Sequence, residues 1–302
     1  MIKITLRQLE ILDAVARCGS FSAASAELHL TQPAVSMQIK QLESILGLPL
    51  FEHMGKQIHL TEAGEDTLRT GRSISHELEN LQQLLADRQG LKGGALTVSA
   101  ASTASVFAAR MMALFRDQHP DVHISLNVVN RETLLRQLTD NSIDMALMGQ
   151  PPDGYDLAAQ PVMENPLVVI AATNHPLANK KHIPLSELAA QPLIGREQGS
   201  GTRSAFEKFL TDHGYGYQAA MEMNKNEAIK QAVEAGLGLG VVSLHTVQAE
   251  LVSGQLCVLD VQDFPIKRQW FLVQREGKRP SSAAQAFTQL VLKEAKQFNP
   301  LS

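Results

Sequence analysis

Residues 31–41, TQPAVSMQIKQ, carry side chains that could hydrogen-bond to a partner from one face of a helix. Thr31 is suited to an N-cap, and the proline that follows tolerates the first helical turn. The apolar stripe Val35, Ile39 and Leu42 predicts which face is buried. Outside that stripe stand Gln32, Ser36, Met37, Lys40 and Gln41, with Pro33 beside them in the first turn. Amide and hydroxyl groups can pair with base edges in the major groove of DNA, and an apolar side chain can contact the thymine methyl group.

Two shorter helical patterns precede this helix and would hold it in place. Residues 5–16 put leucines at helical spacing, with Thr5 as an N-cap and Gly19 as the break that follows. Residues 22–30, SAASAELHL, predict a second helix with Ser22 as its N-cap and small alanines that let another helix approach closely. This order is typical of a helix-turn-helix, whose second helix presents its first turn to the bases. The alternative is a three-helix bundle whose polar face only meets solvent.

Residues 46–68, LGLPLFEHMGKQIHLTEAGEDTL, predict a turn, two short strands around a Gly-Lys tip, and the start of another helix. This pattern is that of a wing. From Thr5 to Gly64 the sequence resembles the winged helix-turn-helix of LysR-type transcriptional regulators. The resemblance implies double-stranded promoter DNA as a partner, with Lys40 and Lys56 on phosphates, and RNA polymerase as a further partner. His53 stands where many family members carry an arginine.

Composition limits how such a protein could bind DNA. The chain has 302 residues and a net charge of −4, and its first 60 residues hold five basic and five acidic side chains. DNA binding would therefore need placed contacts and more than one copy of the chain. The sequence shows no apolar run long enough for a membrane span and no signal-peptide pattern, and Cys18 and Cys257 lie far apart. These features predict a cytoplasmic protein with no membrane partner and no disulfide framework.

Residues 62–89 contain no proline and carry a narrow apolar stripe, Ile74, Leu78, Leu81 and Leu85. Spacings of 4, 3 and 4 residues are typical of a helix that pairs along a seam. We expect it to pair with a second chain, although packing on its own domain is the alternative. The family resemblance implies an antiparallel dimer through this helix and a homotetramer through further contacts.

After Gly94 the predicted strands and helices alternate, which indicates α/β units. Two proline-containing segments, 161–166 and 263–267, are predicted as paired crossovers between two lobes. This part resembles a periplasmic-binding-protein-type sensor. The predicted fold class is an α+β multidomain chain with a winged helix-turn-helix, a linker helix and a two-lobed effector domain. The predicted boundaries are 1–61, 62–92 and 93–302, with lobe I at 93–162 and 268–302 and lobe II at 163–267.

A cleft between α/β lobes binds ligands at strand carboxyl ends and helix N-termini. The segments ASTAS (101–105) and REQGSGTR (196–203) take such positions, with glycines for close backbone approach, Thr202 as a cap, and Arg196 and Arg203 as charges for a carboxylate or phosphate. The predicted effector residues are Ser102, Thr103, Asn130, Gln150, Arg196, Gly199, Ser200, Gly201 and Thr202. The alternative is a glycine turn and a capped helix that bind nothing.

Segments such as LNVVNRETLLRQL, REQGSGTR and MEMNKNEAIKQAVEAGLGLGVVSLHTV resemble the RuBisCO-operon (Calvin-cycle) regulators among LysR proteins. That resemblance implies an effector such as a phosphorylated sugar, a related metabolite or reduced nicotinamide cofactor. Ser105 and Gln150 stand where a lysine and an arginine are expected. The loss of two cations would weaken the binding of a doubly phosphorylated ligand.

No catalytic constellation is present in the sequence. The GLGLG segment (236–240) lies between a predicted helix and a strand, the reverse of the order in a dinucleotide-binding motif, and the histidines lack metal-ligand spacing. We therefore expect no enzyme, no catalytic residue, no metal and no cofactor, but a small anionic effector. A solute-binding module without DNA function is the second interpretation. The 90 residues in front of the effector domain and the missing export signal disfavour it.

Overall fold

The computed structural model describes residues 3–54, 57–88 and 93–298, and the chain divides into two compact units. One unit comprises Met1–Leu85 with Asp140–Ser142, and the other comprises Ala86–Thr139 with Ile143–Ser302. Among the helices of the described ranges, none has the length and apolar character needed to span a membrane.

The first unit begins with three helices, α1 Leu6–Cys18, α2 Phe21–Glu27 and α3 Gln32–Leu46. Thr5 and Gln8 form a reciprocal capping box at the start of α1, and Gly19 ends the helix in the left-handed region at φ 61°. Helix α2 is capped by Ser20 and not, as predicted, by Ser22. The helix begins at Phe21, so Ser22 lies inside its first turn.

A two-stranded antiparallel sheet follows, β1 Phe51–Met54 and β2 Gln57–Leu60, and then the long helix α4 Glu62–Arg88. The core beneath these elements is fully buried and includes Leu12, Val15, Val35, Leu42 and Leu50. Gly64 in the first turn of α4 has a steric reason, since a Cβ there would lie 2.1 Å from the Leu50 carbonyl oxygen.

The second unit alternates strands with helices. Its strands are β3 Gly94–Ala101, β4 Val122–Val129, β5 Met145–Gly149, β6 Leu157–Glu164, β7 Leu167–Ala172, β8 Leu193–Arg196, β9 Met221–Met223, β10 Leu239–Ser243, β11 Leu256–Val258 and β12 Gln269–Arg275. Its helices are α5 Ser105–Gln118, α6 Arg131–Thr139, α7 Leu185–Ala189, α8 Gly201–Asp212, α9 Asn226–Glu234, α10 Gln248–Val252 and α11 Ser282–Glu294. Short 3₁₀ turns cover Ser102–Ala104, Leu244–Thr246 and Ala295–Gln297.

These strands form two five-stranded sheets, ordered β4-β3-β5-β12-β6 and β11-β7-β10-β8-β9. Each sheet has its own buried core, around Phe107, Phe115 and Trp270 in the first and around Leu188 and Leu210 in the second. The chain leaves the first sheet after β6 and returns to it in β12, so each sheet belongs to a lobe with its own hydrophobic support.

The two crossing segments lie side by side. The Asn165 N–H donates to the Arg268 carbonyl at 2.7 Å, and Leu167 pairs with Ile266. The predicted crossover, 161–166, begins too early in the sequence, because β6 continues to Glu164 and includes Pro161. A proline is tolerated there because β6 is the edge strand and pairs only with β12.

Candidate functional site

Helix α3 buries one face and exposes the other. Val35, Ile39 and Leu42 are at most 2% exposed. The predicted DNA-binding residues on this helix are exposed except for Ser36, which is half-buried; they are Gln32, Pro33, Ser36, Met37 and Lys40. Thr31 caps the helix by accepting a hydrogen bond from the Ala34 N–H. Lys56 lies outside the described residues.

The polar groups of this face are available to a partner. Within the described ranges, the side chains of Gln32, Ser36 and Lys40 make no hydrogen bond or ion pair with the rest of the chain. Met37, with 53% of its surface exposed, adds an apolar group among them. A helix with this mixture of free amide, hydroxyl, ammonium and apolar groups in its first turns matches the chemistry of major-groove base edges and phosphates.

In the second unit, strand and helix ends converge on a small cavity of about 30 Å³. Seven of the nine predicted effector residues line it: Ser102, Thr103, Asn130, Arg196, Ser200, Gly201 and Thr202. Gln150 contributes its backbone, whose carbonyl accepts a hydrogen bond from Arg131 at 2.9 Å. Gly199 lies beside Glu132, where a Cβ would come within 3.2 Å of Oε2.

Two arginines that were not predicted, Arg131 and Arg268, also line this cavity. Arg268 Nη1 donates to the Gly201 carbonyl at 2.7 Å, and Arg131 Nη2 donates to Gln150. Within the described part of the chain, neither guanidinium has a carboxylate within 4.0 Å. Burial lowers the pKa of Arg131, and burial together with the nearby charge of Arg131 lowers the pKa of Arg268. These two positive charges are therefore uncompensated by the protein.

A signal for one of them was present in the sequence. Arg131 opens the helix after β4, just as Ser102 opens the turn after β3, so the strand-end rule that selected Ser102 also selects Arg131. Arg268 precedes β12 in the returning crossover. Only the arrangement of the sheets brings it to the cavity.

Arg196 lines the same cavity, but its charge is already paired. The side chain is 4% exposed, and Nε and Nη2 donate to the Glu197 carboxylate at 2.8 and 3.0 Å. Nη1 donates to Asn226 at 2.6 Å and to the Ser102 hydroxyl at 3.1 Å. Arg196 therefore joins the two lobes more than it offers a free cation.

Two details of the 196–203 prediction need correction. Arg203 was expected to supply charge to a ligand, but its guanidinium donates to Glu207 at 2.7 Å and to Glu222 at 2.6 Å. Its charge is therefore used within lobe II. Thr202 was expected to cap α8, yet Ser200 holds the N-cap position and Thr202 lies buried in the first turn.

The N-terminus of α8 lies at the cavity. The first N–H groups of any helix lack helical acceptors, and they carry partial positive charge. Ser200, Gly201 and Thr202 all line the cavity at this point. Together with Arg131 and Arg268, this helix end forms a surface that suits an anion.

A larger cavity of about 1050 Å³ adjoins the small one, and Ser102, Val129, Asn130 and Arg196 line both. Lys230 in its wall is saturated by Glu227 at 2.8 Å, Glu250 at 2.7 Å and the Thr246 carbonyl at 3.0 Å. The larger cavity therefore offers space, and the charge of Lys230 in its wall is already paired.

His245, in the wall of the larger cavity, joins the lobes through its ring. The ring lies 4.6 Å from the Trp270 ring, and Nε2 is 2.8 Å from the Glu164 carbonyl oxygen. Burial lowers the pKa of His245, and the hydrogen bond to the carbonyl opposes that shift. Among the residues that the structure describes, no group of three or more histidine, cysteine or acidic side chains is placed to hold a metal ion.

Comparison with known protein families gives a match for the N-terminal helices and a second match for the two-lobed part of the chain. Residues 6–65 match the model for the bacterial regulatory helix-turn-helix protein of the lysR family, and residues 89–296 match that for the LysR substrate binding domain. The chain belongs to the LysR family of transcriptional regulators. The helix-turn-helix match leaves the alternative of a solute-binding module without DNA function unsupported.

The relatives of this LysR regulator point to one subfamily. It is 48% identical to the RuBisCO operon transcriptional regulator of Allochromatium vinosum over 98% of both chains. It is 44% identical to the transcriptional activator CmpR of Synechocystis over 95% of this chain and 94% of that one. The predicted resemblance to RuBisCO-operon regulators is confirmed. These relatives are transcriptional regulators and not enzymes.

Two solved structures complete the comparison. The regulatory domain of Synechocystis CcmR in complex with 2-PG is 37% identical, with a TM-score of 0.65, and covers 68% of this chain and 99% of that one. Full-length CbnR complexed with its target DNA is 20% identical, with a TM-score of 0.70, over 96% of this chain and 99% of that one, and shows the fold alone. The predicted fold class is confirmed. The roles assigned to single residues stay predictions.

Proposed function

We propose that this LysR regulator binds promoter DNA through the exposed face of α3 and responds to a small anionic metabolite bound between the two lobes. One observation carries the effector half of this proposal. The guanidinium groups of Arg131 and Arg268 line the cavity, and in the described part of the chain neither forms an ion pair with a carboxylate. Uncompensated, partly buried charges are costly, and an anion between them would offset that cost.

The chemistry around this pair supports an anionic effector. A hydrogen bond to a charged group contributes about 1.5–3 kcal/mol, and two guanidiniums offer several donors beyond the two already used. They supply positive charge at the cavity although Ser105 and Gln150 stand where cations were expected. The CcmR domain was solved with 2-PG, which supports a compact metabolite of this type for the related chain described here.

For DNA binding, we assign base contacts to Gln32, Pro33, Ser36 and Met37 and a phosphate contact to Lys40, with Lys56 as a second phosphate contact predicted from sequence. The free polar groups on α3 support the base contacts. The promoter DNA would be double-stranded and palindromic, because a symmetric dimer presents two such helices.

We further propose that α4 pairs two chains. Ile74, Leu78, Leu81 and Leu85 lie at heptad-like spacing and are 37–51% exposed in the single chain. Burial of this stripe against a second copy would remove apolar surface from water. Two linked DNA-binding helices raise the effective concentration of the second contact, which offsets the balanced charge of the first 60 residues. A homotetramer would follow from further contacts.

The names of two relatives support a proposal for the regulated genes. We propose that the chain acts in the cytoplasm as an activator at a RuBisCO-type operon, with RNA polymerase as the further partner. Effector binding would favour one arrangement of the lobes, change the placement of the DNA-binding units and so alter the bend of the DNA. The effector must bind the two arrangements with different affinity for this to happen.

A mobility-shift titration with duplex DNA from upstream of a RuBisCO operon, with and without 2-PG, tests both halves. We expect 2-PG to change the affinity or mobility of the wild-type complex, and Arg131→Gln to remove that response while DNA binding remains. Arg116→Gln is the matched control, because the Arg116 side chain is 70% exposed and, among the residues that the structure describes, pairs only with its neighbour Asp117. An unchanged 2-PG response in Arg131→Gln would contradict the effector assignment, and failure to bind any duplex would contradict the DNA assignment.

A further inference from the structure

We propose that Glu43 is a positioning residue for DNA binding, whose carboxylate fixes the wing, β1 and β2, in one orientation relative to α3. The inference rests on the proposed function, because it concerns how α3 and the wing reach the same duplex. Lys56, in the Gly-Lys segment between the two strands, is the residue that the sequence assigns to a phosphate. The Glu43 contact would keep that phosphate contact in register with the base contacts of α3.

The contact lies where α3 ends and β1 begins. Gly47 ends the helix in the left-handed region at φ 75°, and the chain then turns through Pro49 and Leu50. The Glu43 Oε1 atom accepts a hydrogen bond from the Leu50 N–H at 2.8 Å. Among the residues that the structure describes, the Glu43 side chain makes no other hydrogen bond or ion pair. Its one interaction therefore reaches from α3 to the residue before β1.

The Leu50 N–H needs this acceptor. Leu50 is fully buried, and its side chain belongs to the core beneath α3. A buried backbone N–H without a partner costs free energy comparable to that of a lost hydrogen bond. A carboxylate is also a stronger acceptor than a neutral oxygen. Glu43 therefore holds this turn more firmly than packing of the Leu50 side chain alone would.

The start of α4 holds the same two residues. The Thr61 N–H donates to the Leu50 carbonyl at 3.0 Å, and the Thr61 hydroxyl donates to the Pro49 carbonyl at 2.7 Å. The hydroxyl oxygen also accepts from the Gly64 N–H at 3.0 Å, in the first turn of α4. The end of α3, the start of the wing and the first turn of α4 are thus joined at Pro49 and Leu50. We name these contacts of Glu43 and Thr61 the junction clamp.

The place of the junction clamp separates positioning from base reading. The proposed base contacts lie in the first turns of α3, where Val35 and Ile39 anchor the helix, whereas Glu43 is half-buried in its last turn. Loss of the clamp would therefore free the wing and leave the base-reading surface in place. A phosphate contact from the wing contributes on every sequence, so its loss weakens binding without a change in base discrimination.

Fluorescence anisotropy of the full chain with two labelled duplexes, one from upstream of a RuBisCO operon and one of random sequence, tests this proposal. In Glu43→Ala we expect the affinity for both duplexes to fall by the same factor, about tenfold. The dependence of log affinity on log salt concentration should become shallower by about one per wing, because one phosphate contact per wing is lost. A variant that was only less stable would keep the salt dependence of its folded fraction.

Two further variants serve as matched controls. Glu43→Gln keeps an oxygen acceptor at the same distance along the side chain but removes the charge, so it should keep the wild-type affinity and salt dependence. Glu65→Ala removes an exposed acidic side chain from the same unit and should not weaken binding. Wild-type binding by Glu43→Ala, or a Glu43→Gln variant as weak as Glu43→Ala, overturns the proposal.

Amide hydrogen exchange of the free chain tests the junction clamp without DNA. The amides of Leu50, β1 and β2 should exchange about tenfold faster in Glu43→Ala than in the wild type, while those of α1 keep their rates. If Glu43→Ala does not fold, Thr61→Val removes the hydroxyl contacts of the same clamp and should speed the same amides, whereas Thr61→Ser keeps both. Unchanged exchange in the folded alanine or valine variant overturns the clamp.

The two assays also separate this inference from the proposed function. If the wild type binds neither duplex, the proposed DNA binding fails, and the exchange rates alone decide whether the junction clamp holds the wing. If the wild type binds the operon duplex and Glu43→Ala binds it equally well, DNA binding stands and only the positioning role of Glu43 fails.

Discussion

The exposed face of α3 and the small cavity of the second unit both present polar groups to a partner, but they do so at very different cost. On α3 the polar side chains lie at the surface, where water satisfies them until DNA replaces it. In the cavity two guanidiniums are partly buried, and their mutual repulsion lowers the pKa of Arg268 below the value set by burial alone. The first surface is stable without its partner, whereas the second stores an electrostatic cost that an anion would remove.

This difference separates stability from recognition. A side chain that reads DNA can be removed without harm to the fold, because its neighbours on the buried stripe anchor the helix. Arg131 or Arg268 can be removed with little harm for the opposite reason, since the unpaired charge of each contributes unfavourably in the absence of ligand. The free energies of unfolding of single-residue variants should therefore show which residues of each unit make stabilising contacts.

The largest effect is expected from the buried side of α3. Leu42→Ala should lower the free energy of unfolding by about 2–5 kcal/mol, because Leu42 is fully buried and its truncation leaves a cavity. DNA binding should be lost with it. Met37→Ala, on the exposed side, should change the free energy of unfolding by less than about 0.5 kcal/mol. Chemical denaturation of both variants measures the difference, and equal losses would contradict the assignment of faces.

The next effect concerns the DNA-reading surface itself. Gln32→Ala should cost about 1–3 kcal/mol of binding to the cognate site and much less on random DNA, because an amide that pairs with a base edge discriminates between bases. Gln41→Ala, also exposed on α3 but about two and a half turns further from its start, is the matched control. Mobility shifts on cognate and random duplexes measure both. Equal weakening of Gln32→Ala on the two duplexes would remove its base-reading role.

The two regions also differ in how far sequence predicts them. The exposed surface of α3 could be predicted from the sequence because a single helix supplies it. The apolar stripe of that helix marks the buried face, so the exposed face lies opposite. Ser102, Thr103 and Arg196 could be derived because each follows a strand end, where α/β lobes bind ligands. Arg268 could not, since only the antiparallel return of β12 between β5 and β6 brings it beside Gly149. The pairing of Arg203 with Glu207 and Glu222 likewise depends on folding of lobe II.

A smaller effect should appear in the pH dependence of the second unit. Burial lowers the pKa of His245 below its ordinary value of 6.5. In the window between these two values the unfolded chain binds a proton that the folded chain does not. The stabilising contribution is therefore complete above pH 6.5 and is lost as the pH falls toward the folded-state pKa. The slope for one proton is at most about 1.4 kcal/mol per pH unit.

His245→Phe keeps an aromatic ring against Trp270 but cannot titrate. Its free energy of unfolding should fall less between pH 6.5 and 5 than that of the wild type. Denaturant titrations at several pH values measure the two slopes. Identical slopes would mean that other groups govern the acid sensitivity.

A small change in stability is also expected at Arg268, although its side chain is partly buried. In Arg268→Met the hydrogen bond to the Gly201 carbonyl is lost, which costs about 1 kcal/mol, but the repulsion with Arg131 and the desolvation of the charge are lost as well. These contributions oppose each other, so the free energy of unfolding should change by less than about 1 kcal/mol.

Arg196→Met on the same cavity is the decisive contrast. Arg196 is bound to Glu197, Asn226 and Ser102, so its removal leaves a carboxylate and two polar groups without their partner. We expect a loss of about 3–5 kcal/mol there, the range for breaking a buried ion pair. Denaturation of both variants beside a 2-PG titration separates the roles: Arg268→Met should lose ligand affinity and keep its stability. If it destabilised the unit as much as Arg196→Met, Arg268 would be a structural residue, and the cavity would lack the unpaired charge that makes it a site for anions.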